Sequence, residues 1–209
     1  NHRCPRMAHW SVCCAFLERH HSRPTPALKR PLPMSSRKAL FLDRDGVINE
    51  RIVDGYVRTV DEFILIPAIL PLLRAARERG YLLVQISNQQ GVGKGLMSHA
   101  LLDVVTAHMQ DLLAQNLDGR GLDDLRVCTD LAGMNSERRK PRPGMLLEAM
   151  RELDIDPGQS WFLGDSKTDA EAGKAAGVHT ALIGSFRDGE ADLVLPSHAD
   201  LDRLISHLR

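Results

Sequence analysis

The feature that most constrains this chain is a short apolar run, residues 39–42, that leads directly into two aspartates, Asp43 and Asp45. A continuous apolar run of this length is typical of a parallel strand that is buried on both faces. Gly46 follows and lets the backbone turn. Side chains two positions apart leave a strand on the same face, so the two carboxylates would share one small volume. Ligands of open α/β sheets bind just beyond the carboxyl ends of strands, so the sequence predicts a functional site here.

The remainder of the chain alternates apolar strands with amphipathic helices, which predicts an α/β fold: a doubly wound, three-layer sandwich around a mostly parallel sheet. Further strands are predicted at residues 81–86, 125–128, 161–163, 178–183 and 191–195. Helices are predicted to begin at Pro67, after Ser98 and at Pro143, to end at Gly80 and Gly177, and to span residues 199–208. Residues 50–66 show no regular period and contain a turn signal.

The spacing of Asp43 and Asp45 indicates a particular chemistry. Two anions so close repel each other unless a hard divalent cation such as Mg²⁺ neutralises them. Asp43 could then attack a phosphorus atom while Asp45 transfers the proton. The alternative is a solvated Asp-Arg-Asp-Gly turn after a strand, a common arrangement.

Three later stretches favour the catalytic interpretation of Asp43 and Asp45. Ser87 and Asn88 follow the second strand and offer short hydrogen-bond donors to a phosphoryl group. Lys140 can offset the charge of a dianion. Asp165 would stand at the end of the fourth strand and complete an oxygen-rich magnesium site. Asp169, one helical turn later, could be a further ligand, an orienting residue or a helix-start carboxylate.

The sequence resembles the haloacid-dehalogenase-like phosphohydrolases, and within them the capless branch of D-glycero-D-manno-heptose bisphosphate and histidinol phosphate phosphatases. The matching motifs are residues 41–49, 86–91, 139–145 and 163–169, in the order and at the approximate spacing of that family. The resemblance extends from about Lys38 to the C-terminus. It implies a haloacid-dehalogenase-like fold without a large cap domain, in which residues 50–66 form a flap over the site.

The resemblance also implies residue roles. Asp43 and Asp45 would be catalytic, Asp43, Asp165 and the backbone carbonyl of Asp45 would hold Mg²⁺, and Ser87, Asn88 and Lys140 would bind the transferring phosphoryl group. The implied substrate contacts are Arg44, Asp54, Gly55, Tyr56, Gln89, Gln90, Lys94 and Arg139. Gly93-Lys94 is not a nucleotide-binding P-loop, because Gly95 follows in place of Ser or Thr.

The expected activity is hydrolysis of a small sugar phosphate through an aspartyl-phosphate. The resemblance favours D-glycero-D-manno-heptose 1,7-bisphosphate, with loss of the 7-phosphate, as substrate. Histidinol phosphate is the alternative substrate. A non-catalytic binding protein on the same fold is the alternative from another class.

One departure from the family concerns structural zinc. Many of its members carry a Cys-x-His and Cys-x-Cys zinc loop before the Arg-Lys-Pro motif. This chain has Cys128-Thr129-Asp130 and then Ser136-Glu137-Arg138. A closed zinc site needs four ligands, and only Cys128 remains, so no structural zinc is expected.

Composition restricts the possible partners. The chain has 27 basic and 27 acidic residues, so its formal net charge of zero does not favour nucleic acid or an anionic membrane. No apolar run approaches the roughly 20 residues of a membrane helix. Cys128 is the sole cysteine of residues 38–209, which fits a reducing compartment. We therefore expect a cytoplasmic monomer acting on a small phosphate ester.

Residues 1–37 differ from the rest, because they are rich in Arg, His and Pro and contain one acidic residue, Glu18. They could be an organelle transit sequence, a metal site, or sequence upstream of a start at Met34. The candidate metal ligands are Cys4, His9, Cys13, Cys14, His20 and His21, whose spacing matches no standard zinc pattern. We prefer the third interpretation: a poorly structured extension over residues 1–37 and a phosphatase domain over residues 38–209.

Overall fold

The computed structural model describes residues 37–209. The predictions for residues 1–36, which are the Cys/His metal site, the transit sequence and the start at Met34, lie outside the described residues. The division of the chain at residue 38 stays a prediction.

The strands of the described part form one sheet. They are β1 (Lys38–Leu42), β2 (Tyr81–Asn88), β3 (Asp124–Cys128), β4 (Trp161–Gly164), β5 (His179–Ile183) and β6 (Leu193–Leu195). The order across the sheet is β3-β2-β1-β4-β5-β6, and all neighbouring strands are parallel. This arrangement confirms the predicted doubly wound α/β fold.

Six α-helices connect or flank these strands within residues 37–209. They are α1 (Leu70–Glu78), α2 (Gln90–Gly93), α3 (His99–Asn116), α4 (Gly144–Leu153), α5 (Lys167–Ala176) and α6 (Leu201–Ile205). Ser98 caps α3 as predicted, since its hydroxyl accepts a hydrogen bond from the N–H of Leu101 at 3.1 Å. Gly177 ends α5 in the left-handed conformation, with φ of 80°. No helix of residues 37–209 is both long and apolar enough to span a bilayer.

Alternating residues of β1 separate the core into two layers. Leu40 and Leu42 pack in one cluster with the inward side chains of α1, α3 and α6. Ala39 and Phe41 pack in a second cluster with those of α4 and α5. The central strand is therefore buried on both faces, as its continuous apolar sequence indicates.

The connections of the sheet create a crevice. After β1 the chain builds β2 and β3 on one side, and then crosses to β4, β5 and β6 on the other. The carboxyl ends of β1 and β4 thus lie side by side at the switch point, where ligands of such sheets bind. The backbone N–H of Asp43 bonds the carbonyl of Leu163 at 3.0 Å, which joins the two strand ends.

Several predicted boundaries are wrong by a few residues. β2 continues to Asn88, so Ser87 and Asn88 belong to the strand itself. The last strand, predicted over residues 191–195, covers only β6. The helix predicted over residues 199–208 is instead a tight turn, His198–Asp200, followed by the short helix α6. The carboxylate of Asp200 accepts hydrogen bonds from the N–H and hydroxyl of Ser197 at 3.0 and 2.9 Å, which starts this turn. Residues 50–66 contain no helix or strand, apart from an isolated bridge between Asn49 and Leu65.

The core assignment leads to a stability prediction. Leu72 of α1 is fully buried, and we expect Leu72→Ala to lower the free energy of unfolding by about 2–5 kcal/mol because it leaves a cavity. Leu147→Ala is the matched control, since Leu147 of α4 is 47% exposed and should lose less than about 1 kcal/mol. Urea unfolding followed by circular dichroism measures both values. Equal losses would contradict the assignment of these two faces.

Candidate active site

The crevice at the ends of β1 and β4 contains a cavity of about 230 Å³. The sheet and the segments after it contribute Asp43, Asp45, Asn88, Lys140, Asp165, Ser166 and Thr168. The flap of residues 50–66 contributes Arg51, Ile52, Gly55, Tyr56 and Val57. Residues that are far apart in the sequence therefore meet in one place, as the strand-end argument predicts.

Asp43 lies at the base of this cavity. Its Oδ1 accepts hydrogen bonds from the N–H of Arg44 at 2.8 Å and from Nζ of Lys140 at 2.9 Å. Burial raises the pKa of Asp43 to about 7, although Lys140 acts in the opposite direction and Asp169 adds to the increase. The metal-free site therefore holds this carboxylate in an unfavourable environment.

Lys140 is the central cation of the site. Its side chain is 3% exposed, and Nζ lies 2.9 Å from Asp43, 2.7 Å from Asp169 and 2.9 Å from the carbonyl of Ile86. The ammonium group thus donates one hydrogen bond to the Ile86 carbonyl and forms ion pairs with the two carboxylates. Burial acts to lower the pKa of Lys140, but Asp169 and Asp43 raise it above its ordinary value. Lys140 therefore remains charged.

Asp169 orients its neighbours. It is 1% exposed, and its Oδ2 accepts hydrogen bonds from the N–H groups of Asp165 and Ser166 and from the Ser166 hydroxyl, at 2.7–3.1 Å. Its Oδ1 pairs with Lys140. Both oxygens are thus engaged by protein donors, which favours the orienting role among the three alternatives that the sequence leaves open.

Asp165 approaches the chain at Gly46. Gly46 has a φ of 85°, and a β carbon on it would overlap with the carboxylate of Asp165. Glycine is therefore required here both for conformation and for space. The carboxylate pairs with the exposed Arg51 at 3.1 Å, while burial and then Asp169 raise its pKa.

The residues present fit a divalent cation. One oxygen from each of Asp43, Asp165 and Asp169 lies within 4.8 Å of the others. Lys140 compensates one of these three buried or half-buried charges and the exposed Arg51 pairs with Asp165, so the cluster of three carboxylates keeps an excess of one negative charge. Oxygen donors with an uncompensated negative charge suit Mg²⁺. Asp43 and Asp165 have more oxygen atoms available for a cation than Asp169, whose Oδ2 accepts three hydrogen bonds and whose Oδ1 pairs with Lys140 at 2.7 Å.

Arg44 requires a correction. The sequence predicts that it contacts substrate, yet its side chain has no exposed surface, and its guanidinium bonds both oxygens of Asp45 at 3.0 Å. Asn49 and Gln89 also donate to Asp45, at 2.9 and 2.8 Å. Four donor groups, counting the Arg44 Nε at 3.2 Å, thus hold one carboxylate in place. Gln89 is corrected in the same way, because its side-chain nitrogen Nε2 is engaged by Asp45 at 2.8 Å and by Ser87 at 2.9 Å.

The residues predicted to bind phosphate differ in exposure. Ser87 is 1% exposed and accepts a hydrogen bond from Gln89 at 2.9 Å. Asn88 lines the cavity, and its amide bonds the backbone of Lys140 twice, each time at 3.1 Å. Asn88 therefore fixes the segment that carries Lys140.

The other predicted substrate contacts form a cluster at the rim. The hydroxyl of Tyr56 accepts hydrogen bonds from Gln90 at 3.0 Å and from Lys94 at 2.9 Å, and the latter bond lowers the pKa of Tyr56. Arg139 donates to Oε1 of Gln90 at 3.2 Å. Gly55 lines the crevice, whereas Asp54 lies beside it, in an adjoining cavity of about 270 Å³.

Hydrogen bonds hold the segment of residues 128–139, for which no structural zinc is expected. Sγ of Cys128 lies 3.5 Å from Oδ2 of Asp130 and 4.0 Å from Oγ of Ser136. Burial raises the pKa of the Cys128 thiol, and a hydrogen bond from Ser136 lowers that of Asp130. The carbonyl of Asp130 accepts a hydrogen bond from Arg139 at 3.0 Å, so this segment supports the rim cluster.

The sequence analysis missed two polar side chains. Asn49 belongs to the first motif but has no role assigned to it, and Arg51 lies in the irregular flap. The position of Asn49, four residues after Asp45 in the same motif, could have indicated a contact with the Asp45 carboxylate. No sequence signal placed Arg51 against Asp165, because they are 114 positions apart.

The raised pKa of Asp43 leads to a prediction for the metal-free protein. The folded state binds an extra proton between the ordinary pKa of 3.8 and about 7, so stability falls as pH rises through that range. Asp43→Asn removes the buried charge. We expect this variant, measured with EDTA, to melt a few degrees above wild type at pH 8, with the difference shrinking towards pH 5.

The control for this measurement is Asp111→Asn, at an exposed position of α3, which should follow wild type at both pH values. Differential scanning calorimetry gives the melting temperatures. A variant less stable than wild type at pH 8 would show that the ion pair with Lys140 outweighs the burial of Asp43.

Comparison with known proteins agrees with this geometry. The sequence model of the HAD-hydrolase-like family matches residues 137–208. D-glycero-beta-D-manno-heptose-1,7-bisphosphate 7-phosphatase of Pasteurella multocida is 39% identical over 186 residues, which cover 83% of this chain and 99% of that protein. D-glycero-alpha-D-manno-heptose-1,7-bisphosphate 7-phosphatase of Burkholderia mallei is 37% identical over 158 residues, covering 72% and 82% of the two chains.

Solved structures give the same result. The D,D-heptose 1,7-bisphosphate phosphatase of B. bronchiseptica, complexed with magnesium and phosphate, superposes with a TM-score of 0.72 at 28% identity, covering 81% of this chain and 99% of that one. A HAD-like phosphatase from Mesorhizobium loti also has a TM-score of 0.72, at 31% identity, covering 82% and 86%. By sequence and by fold, this chain belongs to the haloacid dehalogenase-like hydrolases.

Proposed function

We propose that this protein is a magnesium-dependent phosphatase that removes the 7-phosphate of D-glycero-D-manno-heptose 1,7-bisphosphate. The observation that carries the proposal is the meeting of Asp43 and Asp165, from separate strand ends, beside the ammonium group of Lys140. The identity of 36–39% to several heptose bisphosphate phosphatases supports this choice of substrate.

The first step would use Asp43 as nucleophile. Its carboxylate attacks phosphorus, the bond from phosphorus to the sugar oxygen breaks, and Asp45 gives a proton to the leaving alkoxide. Arg44, Asn49 and Gln89 hold the Asp45 carboxyl in one orientation, which is what directed proton transfer needs.

The second step would release the phosphate. Asp45, now ionised, takes a proton from water, and the resulting hydroxide attacks the phosphorus of the aspartyl-phosphate. The bond between phosphorus and the Asp43 oxygen breaks, which returns the carboxylate. Ser87, Asn88 and Lys140 would bind the phosphoryl oxygens in both steps.

Asp43, Asp165 and the backbone carbonyl of Asp45 would hold Mg²⁺, which supplies positive charge that stabilises the spreading negative charge of the phosphoryl group. The excess of negative charge in this cluster, described above, is the property that supports the assignment. Asp169 stays with Lys140 and keeps Asp165 in place.

The rim cluster would recognise the second phosphate. Lys94 and Arg139 place two cationic groups around Tyr56, next to the cavity that holds Asp43. A bisphosphate with one phosphate at Asp43 could present its other phosphate to these cations. We also propose that the enzyme acts as a monomer in the cytoplasm, in carbohydrate metabolism.

The nucleophile assignment is tested with Asp43→Asn. An amide cannot form the acyl-phosphate, so we expect turnover of heptose 1,7-bisphosphate to fall by at least about 1,000-fold, with an unchanged circular dichroism spectrum. EDTA should abolish wild-type turnover, and added Mg²⁺ should restore it. The Asp111→Asn variant is the control. A tenth of wild-type activity in Asp43→Asn would exclude Asp43 as nucleophile.

The substrate assignment is tested at the rim. Arg139→Met should raise KM for the bisphosphate about tenfold or more, because a bidentate phosphate contact is lost. KM for p-nitrophenyl phosphate, which has no second phosphate, should change less than about twofold on the same reasoning. Arg138→Met is the control, since that neighbouring arginine pairs with Glu148 at 3.1 Å. Equal effects on both substrates would contradict a second-phosphate role.

A further inference from the structure

His198 contacts the active-site loop from outside the crevice. Its ring nitrogen Nε2 lies 3.0 Å from the backbone carbonyl of Gly46, although the two residues are 152 positions apart. A carbonyl oxygen can only accept a hydrogen bond, so Nε2 must carry the proton and donate it. The contact joins the turn after β6 to the loop that begins at Asp43.

The turn that carries His198 is built without its side chain. Ser197 and Asp200 close it through hydrogen bonds of 2.9 and 3.0 Å, and the hydroxyl of Ser197 accepts a further one from the N–H of Ala199 at 3.2 Å. The imidazole is therefore not needed to form the turn. The effect of its contact with Gly46 must therefore lie in the loop that contains Gly46.

Gly46 is restrained on three sides. Its N–H bonds the carbonyl of Asn49 at 2.8 Å, its α carbon lies against the carboxylate of Asp165, and its carbonyl accepts from His198. Its φ of 85° puts it in a region where glycine moves freely between backbone conformations. The His198 hydrogen bond restrains the carbonyl side of the peptide group after Gly46, while the N–H of Val47, on its other side, donates to the carbonyl of Arg44 at 3.3 Å.

We propose that His198 is a positioning residue for the catalytic loop. By holding the carbonyl of Gly46, it keeps the backbone of Asp45 in a fixed position and preserves the close packing of Gly46 against Asp165. Two of the three groups assigned to Mg²⁺, the Asp45 carbonyl and the Asp165 carboxylate, thus depend on a side chain that lines no part of the crevice. The inference rests on the proposed function for its effect on turnover, but its effect on metal binding is independent of the substrate.

The test compares His198→Leu, which removes the donor, with His198→Gln, whose amide can place an N–H near the position of Nε2. His198→Leu loses one hydrogen bond that orients the metal ligands. We therefore expect the Mg²⁺ concentration that gives half-maximal thermal stabilisation to be about five- to tenfold higher in this variant. At saturating Mg²⁺ and substrate, kcat should fall about as much while KM changes less than about twofold. His198→Gln should recover most of both losses.

The matched control is His99→Leu, an exposed histidine at the start of α3, which should behave as wild type. A wild-type magnesium midpoint in His198→Leu would overturn the proposal, and so would a His198→Gln variant as impaired as His198→Leu. Wild-type protein that binds Mg²⁺ but hydrolyses neither the bisphosphate nor p-nitrophenyl phosphate would refute the proposed function alone. In that case the magnesium midpoints of the variants still decide the role of His198.

Discussion

The ammonium group of Lys140, buried between Asp43 and Asp169, is the interaction on which the rest of the site depends. It joins β1, the segment after β3 and helix α5, three stretches that the sequence keeps far apart. Removing Lys140 would leave Asp43 and Asp169 buried without a cation, and a loss of this kind typically costs about 3–5 kcal/mol. Because Asp169 also holds the N–H of Asp165, the same contact fixes the end of β4.

Lys140 neutralises only part of the surrounding charge. Asp43 and Asp165 both have raised pKa values because burial disfavours their ionised forms, and neither has a second buried cation. The folded protein thus holds two carboxylates at a free-energy cost that the apolar layers on both faces of the sheet must offset. A bound divalent cation would reduce this cost, so the burial that raises the pKa values of Asp43 and Asp165 is also what would give the site metal affinity.

The sequence was sufficient for the fold and for much of the site because both follow local rules. The apolar run before Asp43, together with the alternation of strands and helices, predicted the sheet and the end at which Asp43, Lys140 and Asp165 line a crevice. The pattern did not show which polar side chains face inward. Arg44 and Gln89 were predicted to contact substrate, but they are buried against Asp45, since a carboxylate between two strands needs donors that only tertiary structure supplies. The sequence did not predict the contacts of Arg51 and His198 either, because their partners lie more than 100 positions away in the chain.

The loop from Cys128 to Arg139 supports the rim through hydrogen bonds, and of the Cys-x-His and Cys-x-Cys pattern it contains only Cys128. A structural zinc contributes about 10–16 kcal/mol of binding free energy, whereas each neutral hydrogen bond contributes about 1 kcal/mol. The contacts of Asp130 with Cys128, Ser136 and Arg139 are therefore a much weaker restraint on this segment. Since Arg139 donates to both Asp130 and Gln90, its position depends on the loop and on α2 together. The geometry of the rim cluster, which we propose to bind a second phosphate, is thus set by hydrogen bonds, while the geometry around Asp43 is set by stronger buried ion pairs.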